Sequence, residues 1–191
     1  RRQFDQQLAL LNRELIEMGA LCEEVIALAA KALTEGDPAL AAQVGPLDTE
    51  IDQKERTIES LCLKLLLQQQ PVARDLRQIS AALKMITDLE RIGDQATDIA
   101  EIARFIRGRH QQTNETLRTM AEEAISMVQE AVRSFVERDL ALARKVIDDD
   151  DVVDRLFDET KTRLITFIAQ DGANGEYYLD LLMIAKYLER I

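Results

Sequence analysis

Between Phe4 and Ala32 an apolar seam runs through Phe4, Leu8, Leu11, Leu15, Met18, Cys22, Val25, Ala29 and Ala32, in steps of four and three without a break. A strand needs a period of two, so this run predicts one long helix with a single apolar seam. Such a helix buries its seam only against other long elements, and helices are the natural partners. Composition agrees. Apolar residues make up 47% of the 191, yet the chain has seven glycines, three prolines, eight Phe or Tyr and no Trp. Ala, Leu, Glu, Arg and Gln lose little rotamer freedom in helices, whereas strands draw on β-branched and aromatic residues. The expected fold class is all-α.

The same patterning predicts five further helices. Glu35-Gly36 ends the first, and Asp37-Pro38 restarts the chain with a cap and a first-turn proline. Leu40, Val44, Leu47, Ile51, Ile58, Leu61 and Leu65 mark helix 2, with a kink expected at Gly45-Pro46 because Pro46 has no N–H for the Ala42 carbonyl. Helix 3 is expected from about Asp75 to Arg107, with a seam through Met85, Leu89, Ile92, Ala96, Ile99, Ala103 and Ile106. Helix 4 starts near Thr113-Asn114 and uses Leu117, Met120, Ala124, Met127 and Ala131. Helix 5 spans about Asp139 to Ala169, Asp171 to Gly175 reads as a loop, and helix 6 begins near Glu176.

Two blocks repeat in order. Asp37-Pro-Ala-Leu-Ala matches Asp139-Leu-Ala-Leu-Ala at an offset of 102, which also places Asp48 and Asp52 on Asp150 and Asp154. Leu89-Glu90-Arg91-Ile92 returns as Leu188-Glu189-Arg190-Ile191 at an offset of 99. Collinear blocks with helix order kept point to duplication. The expectation is two tandem three-helix bundles, residues 1–108 and 113–191. The first unit continues past its block as GDQATDIAEIARFI, so the natural chain is expected to run on by roughly one to two dozen residues.

A net charge of −11 argues against nucleic acid and anionic membranes as main partners. No uncharged stretch approaches the roughly 20 residues of a spanning helix, and no leader pattern opens the chain, so a soluble cytoplasmic protein is expected. Cys22 and Cys62 sit inside apolar patterns and read as buried free thiols rather than a disulfide. His110 lies in a polar stretch and reads as a surface residue.

The acidic residues are more informative. Glu90, Asp94, Asp98 and Glu101 fall within an arc of about 80°, roughly opposite the helix 3 seam. Asp48, Asp52, Glu55 and Glu59 form a second stripe on helix 2, and Asp150, Asp154 and Asp158 a third on helix 5. Like charges one turn apart repel, and no lysine interrupts the helix 3 stripe. Carboxylates from adjacent helices converging on one cation would relieve that repulsion. Oxygen-only donors suit Mg²⁺, Ca²⁺, Mn²⁺ or iron and not structural zinc, while the Glu-x-x-His pairs of a ferritin-like centre are absent. No phosphate loop, Ser-His-Asp set or Cys-His pairing occurs.

The opening RRQFDQQL, the stretch QPVARDLRQISAALKMITDLERIGDQATDIAE and the repeated ERI block resemble the PhoU family of phosphate-signalling proteins, along essentially the whole chain. The resemblance implies two three-helix bundles bearing E(D)xxxD motifs that bind divalent or trivalent metal ions or clusters. It implies no catalysis, negative regulation of the phosphate-starvation response, contact with the phosphate ABC transporter ATPase and a sensor histidine kinase, and a homodimer. The motifs here are Asp48-Thr-Glu-Ile-Asp52, Glu90-Arg-Ile-Gly-Asp94, Asp150-Asp-Val-Val-Asp154 and the opening Glu189-Arg-Ile, whose Asp is missing. Candidate ligands are therefore Asp48, Asp52, Glu90, Asp94, Asp98, Asp150, Asp154 and Glu189. Two other readings remain at this point: a metal-dependent hydrolase built on the carboxylates, and a structural bundle whose acids are only solvated.

Overall fold

The computed structural model of the chain describes residues 2–68, 70–106 and 111–191. Among them are six α-helices: α1 Arg2–Glu35, α2 Pro38–Gln68, α3 Ala73–Ala103, α4 Gln111–Glu137, α5 Leu140–Gln170 and α6 Gly175–Arg190. No strand occurs among the described residues. The duplicated capping residues behave alike. Asp37 accepts a hydrogen bond from the Ala39 amide at 2.9 Å, and Asp139 one from the Leu142 amide at 3.0 Å. Each satisfies an orphan donor of the first turn of α2 or α5.

Two details differ from the sequence expectation. α3 ends at Ala103 instead of Arg107, because the Phe105 and Ile106 amides turn back to the Ile102 and Ala103 carbonyls and tighten the last turn. The Asp171–Gly175 loop contains one 3-10 turn, Gly172–Asn174. Asp171 organises it by accepting from Asn174 at 2.6 Å and from the Tyr178 hydroxyl at 3.4 Å. As expected, Pro46 lies inside α2, and the Thr49 hydroxyl donates to the Gly45 carbonyl at 3.2 Å. His110 and Arg107 lie outside the described residues.

α1, α2 and α3 pack on one another, and so do α4, α5 and α6. In the first bundle Lys54 of α2 donates to Glu14 of α1 at 2.8 Å and also to Glu17. Cys22 of α1 donates its S–H to the Leu89 carbonyl of α3 at 3.3 Å. In the second, Lys145 of α5 bridges Glu130 of α4 and its own Asp149 at 2.7 Å each. The Lys186 ammonium of α6 stands 4.9 Å from the Phe157 ring centroid.

The bundles join where α1 packs on α4 and α3 on α6. These additional neighbours widen the buried faces beyond the expected seams. Ile26 and Leu33 on α1, Ile79 and Ile86 on α3, and Val128 and Val132 on α4 are all buried, whereas Leu8, Met85 and Met127 are only half-buried. Cys22 and Cys62 are buried and free. Burial pushes the Cys22 thiol up to about 12, with Glu23 and Asp48 adding to it, and the Cys62 thiol to about 11. No helix of the described residues is long and apolar enough to cross a membrane.

Candidate metal centre

Ile51, fully buried, points α2 into the core, and Asp48 and Asp52 flank it one turn apart as half-buried residues. On α3 the buried Ile92, Gly93 and Ala96 take the same part, with Glu90, Asp94 and Asp98 beside them. The α3 acids therefore do not stand opposite the core. Gly93 and Ala100 are buried as well as the seam, since α3 touches α1, α2 and α6, and the acidic stripe becomes the flank of that broad face.

Carboxylate oxygens of Asp48, Asp52 and Asp94 all lie within 4.8 Å of one another. One oxygen of Asp48 and one of Asp52 are buried with no hydrogen-bond partner. A buried, unpaired carboxylate oxygen is costly, and a bound cation is one remedy. Protonation is the other. Burial first, then Asp52 and Asp94, pushes the Asp48 carboxyl from 3.8 up to about 6, against a hydrogen bond from Thr97 that lowers it. Glu90 goes from 4.5 to about 7 through burial, a hydrogen bond with Asp94 and the charges of Asp94, Glu55 and Asp52. Asp98 is raised by burial, then by Glu101 and Asp94. With three converging oxygen donors and two orphaned oxygens, these residues fit a hard cation such as Mg²⁺, Mn²⁺ or Ca²⁺.

The second set is looser. Asp150 and Asp154 are exposed, and Glu189 is half-buried and paired with Lys186 at 2.6 Å. Asp150 is raised by burial, then by Asp154, Asp151 and Glu189, which places these charges within reach of one another. Among the described residues only Asp48, Asp52 and Asp94 converge as a triple.

Three residues at the first site escaped the list of candidate ligands. Glu55 belongs to the α2 stripe, and its carboxyl is raised by burial, then by Glu59, Asp52 and Asp94, against Arg56. Its place three residues after Asp52 was the available signal. Thr97 stands beside Asp48 and lowers its carboxyl, and Gly93 leaves space for that carboxylate; neither residue type announces such a part in one sequence.

The PhoU domain family model matches residues 15–103 and 117–191. The phosphate-specific transport system accessory protein PhoU homolog of Clostridium acetobutylicum is 34% identical over 193 residues, spanning all of this chain and 88% of that protein. The Pseudomonas aeruginosa homolog of the same description is also 34% identical, over all of this chain and 79% of its own length. The crystal structure of PhoU from Pseudomonas aeruginosa superposes with a TM-score of 0.92 at 34% identity, covering 98% of this chain and 90% of that one. The phosphate transport system regulatory protein PhoU from Streptococcus pneumoniae superposes with a TM-score of 0.88 at 26% identity, covering 98% and 88%. With the fold, the duplicated acidic motifs and the family match extending over both halves, this chain belongs to the PhoU family.

Proposed function

We propose that this chain is an accessory protein of a phosphate-specific transport system and a negative regulator of the phosphate-starvation response. In this reading it is a cytoplasmic homodimer that contacts the phosphate ABC transporter ATPase and a sensor histidine kinase, and it catalyses nothing. Residues 1–108 and 113–191 serve as its two duplicated units. The observation that carries the reading is the family likeness along the whole chain, because relatives spanning all of it are described as accessory proteins of phosphate-specific transport.

Asp48, Asp52 and Asp94 would hold a divalent or trivalent cation, with Glu90 and Asp98 beside them, and Asp150, Asp154 and Glu189 a weaker second one. A cation there supplies positive charge that keeps the carboxylates ionised and ties α2 to α3. The hydrolase reading has little beside it. The cavity of about 400 Å³ lined by Met85, Leu89, Val128, Val132, Val146 and Ile191 has none of the three carboxylates in its wall.

The test is deletion of the gene in phosphate-replete culture with a phosphate-starvation reporter. Derepression that the intact protein reverses supports the regulator. Unchanged reporter output, or rescue that tracks a hydrolytic turnover of the purified protein, contradicts it.

A further inference from the structure

Gly93 is buried between Glu90 and Asp94 in α3, facing Asp48 and Ile51 of α2. A Cβ at this position would overlap the Asp48 Oδ1 atom and stand 3.3 Å from the Ile51 Cδ1. We infer that Gly93 is a positioning residue, whose missing side chain lets the Asp48 carboxylate lie across α3 beside Asp52 and Asp94 in the geometry a cation requires. The inference rests on the cation reading given above.

Plain helix packing is the competing explanation, and the identity of the obstructed atom separates the two. The severe overlap falls on the tip of a short side chain with two rotatable bonds and not on backbone. Ile51 has only to shift by a few tenths of an ångström. An alanine at 93 is therefore accommodated by swinging Asp48 away, at little cost to the bundle, and alanine is also the better helix former. Thr97 stands near enough to Asp48 to lower its carboxyl against the effect of burial. The Thr97 hydroxyl donates to the Gly93 carbonyl at 3.0 Å, one turn along the same helix. Gly93 thus leaves a bare shelf on α3 against which an α2 carboxylate rests. The consequence of filling it falls on ligand geometry, because supporting positions of this kind tune a metal site without touching the ion.

The experiment is titration calorimetry of the whole chain with Mn²⁺, beside melting curves in EDTA, for wild type, Gly93→Ala, Asp48→Ala and the double variant. The expected result is Mn²⁺ affinity about tenfold or more weaker in Gly93→Ala, with a melting temperature in EDTA no lower than wild type. In the Asp48→Ala background the glycine substitution should change affinity no further. Wild-type affinity in Gly93→Ala overturns the inference while leaving the cation reading intact. Equal loss in the Asp48→Ala background also overturns it, since the glycine would then act through packing alone. Absence of Mn²⁺ binding by the wild type overturns the cation reading, and the inference with it.

Discussion

Gly36 and Arg138, 102 residues apart, hold the same left-handed backbone, with φ of 62° and 57°. Each closes the first helix of its bundle directly before the capping aspartate of the second. The Gly36 amide bonds the Ala32 carbonyl at 2.9 Å, and the amides of Arg138 and Asp139 bond the Phe135 and Ser134 carbonyls. An L side chain pays a steric penalty in this conformation that glycine avoids. Gly36→Ala should therefore lower unfolding free energy by about 1–2 kcal/mol. Arg138→Gly should leave it within about 1 kcal/mol of wild type, since relieved strain is offset by greater chain entropy and a lost bond to Gln78. Urea melts compare the two, and equal losses would contradict the equivalence.

A Cβ on Gly19 would stand 2.9 Å from the Val132 Cγ2, where α1 of one bundle meets α4 of the other. Valine is stiff at χ1 and yields little. Gly19→Ala is expected to destabilise the wild type by about 1 kcal/mol as overpacking exceeds the gain in helix propensity. In a Val132→Ala background the same substitution should stabilise. A loss of the same sign in both backgrounds would show that the contact does not govern the approach of α1 to α4.

With Glu55 and Asp98 raised in the same direction, Asp48 and Glu90, the carboxyls raised furthest, contribute most to the pH dependence of the metal-free protein. Their folded values, about 6 and about 7, lie above the ordinary 3.8 and 4.5. The folded state therefore binds more protons than the unfolded one between these limits, and stability falls as pH rises from about 4 to about 7. Melting curves in EDTA should show that decline, flattened in an Asp48→Asn/Glu90→Gln variant. With Mn²⁺ present the trend is expected to reverse, because cation and protons compete for the same oxygens.

Cys22 and Cys62 should be inert toward an aromatic disulfide reagent in the native state. Both are buried, with thiols pushed up to about 12 and about 11, so thiolate is scarce at neutral pH. Labelling that follows unfolding is the expected pattern. Rapid labelling of either in the folded protein would contradict the burial.

The seams of α1 and α2 were legible because one apolar stripe recurs along each, through Leu11, Leu15 and Met18 or Ile51, Ile58 and Leu65, although Ile26 and Leu33 of α1 fell outside it. The broad faces of α3 and α4 were not. Ile79, Ile86, Val128 and Val132 are buried by contacts between helices far apart in sequence, which a single period does not encode. At the site, Asp48, Asp52 and Asp94 were legible from repulsion along each stripe and from the repeat. Gly93 and Thr97 were not, since their part depends on how closely α2 lies against α3. Asp98 and the second-bundle acids share the pattern of the first triple without its convergence.

The cation at the α2–α3 seam is the central physical claim, and melting with and without metal tests it most directly. At a concentration a hundred times its Kd, Mn²⁺ stabilises by about 2.7 kcal/mol, which for a chain of this size corresponds to a rise of roughly 5–10 °C. The expected result is a shift of that order for the wild type over EDTA, and a shift largely abolished in Glu90→Gln/Asp94→Asn. No shift in the wild type, or an equal shift in the variant, would contradict it.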